Sequence, residues 1–250
     1  ELVAASITMY ILCFRSKELS LRIDTGRFLP TWGVVKRALH ISLPMGLQQT
    51  IMCSAYVMTT IIIAPLGTFA IAANSFGVIV ESLCYMPGYG IADAATTLVG
   101  QSIGAGRHEL MKRFAWLSVG LGVTVMAVMG VVMYVGAPVA MAMMTPAEEV
   151  RRLGVEVLRI EAFAEPMFAA AIVSYGVFVG AAKTLVPSIM NLVSIWGVRI
   201  SLAALLAPSI GLRGVWIAMC IELCFRGFIF LVKLKFWNIQ TSCNHYGKDQ

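Results

Sequence analysis

From Phe114 to Met144 the chain runs 31 residues without one charged side chain. Hydrocarbon about 30 Å thick is crossed by roughly 20 helical residues, and inside lipid only a helix or a closed barrel satisfies its own backbone polar groups. A stretch this long and apolar reads as a membrane-spanning helix. Five further stretches read the same way. Ile41–Leu66 is free of charge, Phe76–Val99 carries Glu81 and Asp93, and Val155–Gly180 carries Glu156, Arg159, Glu161 and Glu165. Leu185–Leu206 carries Arg199, and Gly214–Leu231 carries Glu222 and Arg226. Turn-forming residues separate them: Pro65-Leu66-Gly67, Gly104-Ala105-Gly106, Thr145-Pro146, Lys183 to Pro187, and Pro208 to Gly214. The whole chain is 59% hydrophobic and 13% charged, against about 25% charged in a soluble domain. The expected fold class is therefore all-α: a polytopic membrane protein built as a six-transmembrane-helix bundle.

The basic residues orient that bundle. Arg15, Lys17, Arg22, Arg27, Lys36, Arg37, Arg107, Lys112, Arg113, Lys183, Lys233, Lys235 and Lys248 fall on one side, 13 in all, against 3 (Arg151, Arg152 and Arg213) on the other. Cytoplasmic loops carry the excess of Lys and Arg, so the long loop and the C-terminus are placed in the cytoplasm, with alternation consistent with six crossings. The net charge of +6 is then a matter of topology, not of nucleic-acid binding. Residues 1–14 are expected to be the end of a truncated transmembrane helix, because the apolar run Leu2–Phe14 has no basic segment before it and so is not a signal peptide. Residues 15–40 form a basic cytoplasmic linker, 41–234 the six-helix lobe, and 235–250 a cytoplasmic tail.

No enzyme signature is present. The histidines His40, His108 and His245 fall in cytoplasmic segments. Of the cysteines Cys13, Cys53, Cys84, Cys220, Cys224 and Cys243, most lie inside apolar runs, and Cys220 and Cys224 share a helix face without the acidic or histidine companions of a metal site. Gly100–Gly106, GQSIGAG, follows a membrane helix rather than a strand and lacks the Lys-Ser/Thr ending of a phosphate loop. Neither a cofactor nor a structural metal is expected.

The informative residues are carboxylates at membrane depth. A charge there costs at least about 2.5–3.5 kcal/mol on insertion scales, so it faces a wet cavity or a partner. Glu161 and Glu165 are four apart on one helix face. Two such carboxylates repel when both are ionised, so one holds a proton or the two share a cation. Pro166 removes a backbone donor beside them. Glu81 and Asp93 flank Met86-Pro87-Gly88-Tyr89-Gly90, which is expected to kink or interrupt its helix, and broken spans mark transport sites. Glu165, Glu161, Glu81 and Asp93 are thus candidates for coupling a cation, sodium or proton, or for lining a cavity. Gln48, Gln49, Tyr56, Tyr175 and Trp196 are candidates for the wall of an amphipathic substrate cavity. Glu222 and Arg226, spaced i,i+4, read as a structural ion pair, with Arg199 a partner for one of the acids or snorkelling outward.

Several runs resemble one transporter family, multidrug and toxic compound extrusion (MATE). Ala94–Arg107 (AATTLVGQSIGAGR) resembles the cytoplasmic end of that family's eighth helix, and Ile41–Thr50 (ISLPMGLQQT) the opening of its seventh. Ala64–Phe76 resembles the turn between those helices, Glu165–Ser188 the tenth helix and its following turn, and Gly211–Ala218 the entry to the twelfth. The resemblance implies the C-terminal lobe of a twelve-helix MATE-type transporter, with the end of helix six at Leu2–Phe14 and an N-terminal lobe of the same chain as its partner. It implies a multi-pass protein of the bacterial inner membrane that exports small amphipathic, often cationic compounds in exchange for sodium ions or protons. Some members bind the cation through acids on helices seven and ten. This chain departs from that subgroup: Ile41–Leu66 holds no acid, Phe168 stands where the subgroup carries an aspartate, and its Gly-Asp-Thr reads Ala182-Lys183-Thr184. Coupling through the other lobe is the alternative. Two other functions compete with export: a flippase for lipid-linked saccharides, which needs a strongly cationic cavity, and a non-transporting membrane scaffold.

Overall fold

The computed structural model describes residues 32–237, together with Val3, Ser6, Ile7, Thr8, Tyr10 and Ile11 of the preceding stretch. The chain divides into two compact units, Glu1–His40 and Ile41–Gln250. In the first, those six residues are helical and a helix begins at Trp32. Most of the basic linker and the tail beyond residue 237 lie outside the described residues.

Helix α1 (Trp32–Ile63) thus starts ahead of the apolar stretch at Ile41, because Lys36 and Arg37 bar a segment from hydrocarbon but not from helical geometry. A single 3₁₀ turn, Ala64–Leu66, follows. The other elements are α2 (Thr68–Gly104), α3 (His108–Met144), α4 (Glu148–Glu161), α5 (Glu165–Gly180) and α6 (Leu185–Val193). A π-helical turn, Ser194–Ile200, joins α6 to α7 (Ser201–Ile210), and α8 is Leu212–Lys235. No strand occurs among the described residues. Gly211, at φ +66°, is the only residue between α7 and α8, and reverses the chain in a conformation that a side chain disfavours.

Five segments are long and apolar enough to cross a membrane: Gly46–Leu66, Thr68–Gly104, His108–Met144, Leu185–Ile210 and Leu212–Lys235. The sixth crossing is the pair α4–α5, bent by 59° at its break. The six-span reading thus holds, with the fourth span broken. Side chains such as Leu117, Val131, Val135 and Leu205 are 65–72% exposed, which suits a face turned to lipid.

Without water between helices, packing depends on close backbone approach. Gly176 and Gly180 of α5 lie so near α2 that a Cβ would stand 2.5 Å from the carbonyl oxygen of Ala92 and 2.4 Å from that of Thr96. Thr96 Oγ1 donates to the Gly176 carbonyl across this seam at 2.9 Å. Near the other end of the bundle Trp216, almost fully buried, donates its indole N–H to Asn74 Oδ1 at 3.1 Å. Asn74→Leu leaves that donor unpaired and is expected to cost about 1–3 kcal/mol, read as a lower melting temperature in detergent, whereas Asn74→Asp retains an acceptor.

One expectation is corrected. Helix α2 is not interrupted at Pro87: it runs unbroken for 37 residues. Proline removes a single bond from that ladder, while α3, α4 and α5 all pack along the same helix, and Gly88 beside it seats against Met126 of α3. The break lies elsewhere, between the two acids of the fourth span.

Candidate functional site

Helix α4 ends at Glu161 and α5 begins at Glu165 with Pro166 in its first turn. Pro166 has no N–H to continue the ladder, and the chain turns instead: Ala164 N–H donates to the Glu161 carbonyl at 2.8 Å, and Phe168 N–H to the Ala164 carbonyl at 2.8 Å. Gly130 of α3 lies against the turn, where a Cβ would stand 2.7 Å from the Ala162 carbonyl oxygen. This break leaves Glu161 and Glu165 each only 1% exposed.

Other elements bring charge to the same place. Glu161 lies within charge–charge range of Glu81 from α2, Glu165, Glu222 from α8, and Arg199 from the π turn. Glu81 is also within range of Arg199, and Glu165 of Glu81. The π turn adds a residue per turn relative to an α-helix, a local distortion frequent at functional sites. It carries both Arg199 and Ser194, whose hydroxyl donates to Glu222 Oε1 at 2.6 Å. Arg226 Nε stands 3.1 Å from the same oxygen, without hydrogen-bond alignment. Both partners are nearly inaccessible, at 0% for Glu222 and 6% for Arg226. Glu222 Oε2, Glu161 Oε2 and both carboxyl oxygens of Glu165 have no hydrogen-bond partner among the described residues.

An aromatic wall leads away from the acids. The Arg226 guanidinium lies 5.5 Å over the Phe168 ring, Phe168 meets Tyr85 edge-on at 5.7 Å, and Tyr85 meets Tyr89 at 5.6 Å. Tyr175 and Ser188 both donate to Gln48 Oε1, at 3.0 and 2.5 Å, and Trp196 borders Gln48. Tyr56 is 53% exposed. The structure therefore gathers Glu81, Glu161, Glu165, Glu222 and Arg226 into one buried cluster, with the half-buried Arg199 in charge–charge range of it, and Gln48, Tyr175 and Trp196 into a second polar group. Asp93 joins neither. It is exposed and sits twelve residues past Glu81 on α2, about 18 Å along the axis. Gln49 is exposed as well. Sequence reasoning passed over Tyr85, Ser188 and Ser194 as members of these groups, and met Phe168 only as the residue standing where a subgroup carries an aspartate. Phe168 carried a usable signal, since it lies three residues from Glu165 on the same helix. The serine–glutamate contact between α8 and the π turn had none.

The MatE family profile matches residues 44–205, well over half of the chain. The chain belongs to the MatE family. It is 27% identical over 235 residues to the probable multidrug resistance protein NorM of Thermotoga maritima, covering 92% of this chain and 49% of that protein. It is 29% identical over 221 residues to the NorM protein of Xylella fastidiosa, covering 87% and 47%. Among solved structures it superposes on a crystal structure of MATE in complex with MaL6, at a TM-score of 0.82 and 18% identity, covering 93% of this chain and 53% of that one. An outward-facing multidrug resistance MATE family transporter of the MOP superfamily also superposes, at a TM-score of 0.82, 18% identity, and coverage of 93% and 53%. This MatE chain thus spans about half the length of the relatives it matches, and carries one six-span lobe of the shared fold. The family is one of transporters rather than enzymes.

Proposed function

We propose that this chain is one lobe of a secondary active transporter that exports small amphipathic, often cationic compounds by antiport with sodium ions or protons, acting with a second lobe across a shared cavity. The reading rests chiefly on Glu165: a carboxyl group 1% exposed, at the break of a membrane span, with neither oxygen hydrogen-bonded among the described residues. A scaffold gains nothing from such a group, which costs several kcal/mol to bury, whereas a carrier that must bind and release a cation needs one. The relatives named as probable multidrug resistance proteins support the same reading. A flippase for lipid-linked saccharides would need surplus positive charge, yet the cluster holds four carboxylates against two guanidiniums. We place the ends bearing Lys112, Lys183 and Lys235 in the cytoplasm of a bacterium: Lys112 and Lys235 share a cleft with Trp116, Phe236 and Trp237, the cationic and aromatic composition of a membrane interface.

The test uses the complete transporter carrying this lobe, expressed in cells lacking their own pumps. Wild type should lower accumulation of a cationic dye, and collapse of the ion gradients should abolish the difference. Glu165→Gln should raise dye to the level of cells without transporter, at unchanged membrane abundance. Unaltered accumulation over a broad panel of organic cations would count against export, and normal efflux by the variant would remove Glu165 from the site.

A further inference from the structure

Two spans end side by side, far from the buried acids, without closing on each other. Helices α3 and α8 both pack along α5 but scarcely touch one another, and a cleft of about 420 Å³ opens between the start of α3 and the end of α8. Its floor is apolar and buried: Met111 and Ala115 from α3 and Leu234 from α8 are 1%, 2% and 5% exposed. Behind the floor Phe178 of α5 packs on Phe230 at 6.3 Å and on Trp237 at 5.1 Å, which holds the cleft in shape. Trp116 and Phe236 line it while remaining 47% and 75% exposed. So do Lys112 and Lys235, one from each helix and both exposed.

The level of the cleft follows from the sequence. The uncharged run of α3 begins at Phe114, two residues beyond Lys112, and the uncharged end of α8 stops at Val232, just before Lys233 and Lys235. Both lysines therefore stand where hydrocarbon gives way to headgroups. Charge at this end is one-sided: Arg107, Lys112, Arg113, Lys183, Lys233 and Lys235 face one acid, Glu109, among the described residues. Glu109 is 87% exposed and stands 3.8 Å from Lys112, a surface pair of little worth in water. Lys235 makes no ion pair among the described residues. An occupant must meet two demands at once, an apolar body for the floor and a negative group for two ammonium ions. Inorganic phosphate meets only the second. A zwitterionic lipid brings its own cation into the same positive field. A lipid whose headgroup is a net anion meets both, and basic pockets between spanning helices suit such headgroups.

We propose that the cleft between α3 and α8 seats one anionic phospholipid of the phosphatidylglycerol type, its phosphate held by Lys112 and Lys235 and its first acyl methylenes laid on Met111, Ala115 and Leu234. This lipid is a resident of the lobe and not its cargo, so the inference does not depend on export. Because α3 and α8 otherwise meet only by way of α5, a lipid gripped from both sides ties two ends of the bundle together, and its binding stabilises the fold.

The complete transporter, delipidated in a neutral detergent, is titrated with phosphatidylglycerol or with phosphatidylcholine of the same acyl chains. Native mass spectrometry counts the lipid retained, and thermal melting reads its effect. Phosphatidylglycerol should add one tightly held copy and raise the midpoint more than phosphatidylcholine does. Lys112→Gln or Lys235→Gln should weaken that copy about fivefold, and both together about 30-fold, the worth of one or two cations near an anionic surface. The lipid-free midpoint of the double variant should match wild type, because both ammonium groups are exposed, so lost binding is not lost folding. Lys112→Arg/Lys235→Arg should keep the copy, and Glu109→Gln should tighten it. Arg113→Gln/Lys183→Gln, which removes the same charge outside the cleft, should leave it in place. Equal retention of the two lipids, equal loss in the Arg113/Lys183 variant, or equal stabilisation by inorganic phosphate overturns the proposal. So does a copy that appears only once residues 238–250 are deleted, since the chain itself would then fill the cleft. A transporter that exports dye but lacks this copy sinks the inference alone, and one that holds the copy but exports nothing sinks only the exporter reading.

Discussion

Replacing Gly176 by valine is expected to leave little folded protein. At this position a Cβ would lie 2.5 Å from the Ala92 carbonyl oxygen and 3.1 Å from both the Ala92 carbonyl carbon and Thr96 Oγ1. Those are mainly backbone atoms of a long helix held on three sides, so no rotamer change relieves the clash and α5 must move away from α2. Overpacking a core by one or two methyl groups costs about 1–3 kcal/mol when side chains can yield, and a rigid backbone contact lies at or beyond the top of that range. Separation would also break the bond from Thr96 Oγ1 to the Gly176 carbonyl. Because α5 carries Glu165, the same movement would draw that acid away from Glu81, and activity should fall with stability. Gly90→Ala and Gly136→Ala are matched controls, since nothing stands within 4 Å of their Cβ positions. They should melt as wild type or slightly higher, because alanine favours helix by up to about 1 kcal/mol over glycine. Melting in detergent, followed by tryptophan fluorescence, separates the three. A Gly176→Val protein with the wild-type midpoint would show that the helices are not pressed together at this seam.

The six spans were legible because hydrophobicity over about 20 residues is a property of the local sequence, and lipid imposes it on each span separately. The acids were legible as exceptions within those spans. Their convergence was not: Glu81, Glu161, Glu165 and Glu222 come from four helices, and only tertiary packing brings them within charge–charge range. Pro87 and Pro166 illustrate the limit. The interruption was expected at the Pro87 cluster, and Pro166 was read only as removing a backbone donor, yet the break stands at Pro166, where the first turn of α5 has no need of the missing N–H, whereas Pro87 sits in the middle of a helix packed against three others. Asp93 shows the same limit in reverse: its depth was readable from sequence, but its direction around α2 depends on which face of that helix the others cover. Arg199 could be read as a partner for some acid, but the π turn that carries it leaves no mark in the local pattern of apolar residues.

Arg226→Met should be the other severe lesion, for a different reason. Methionine is close in length and keeps an apolar stem over Phe168, so packing changes little. What it removes is the charge 3.1 Å from Glu222 Oε1, leaving a carboxylate with 0% exposure beside a single serine hydroxyl. Stripping one partner from a buried ion pair costs about 3–5 kcal/mol, most of it the penalty of the charge left behind. The double variant Glu222→Gln/Arg226→Met removes that charge too, keeps an acceptor for Ser194, and should recover most of the stability. A double-mutant cycle on unfolding midpoints then gives a coupling well above the 0.5 kcal/mol or so by which independent sites depart from additivity. Additive losses would mean that the pair is not a unit. The double variant also bears on exchange. If Glu222 and Arg226 only neutralise each other, their joint removal takes away no net charge, so Glu81, Glu161, Glu165 and Arg199 keep the same excess and efflux should survive. Stable double-variant protein that no longer exports would mean that Glu222 belongs among the exchanging acids.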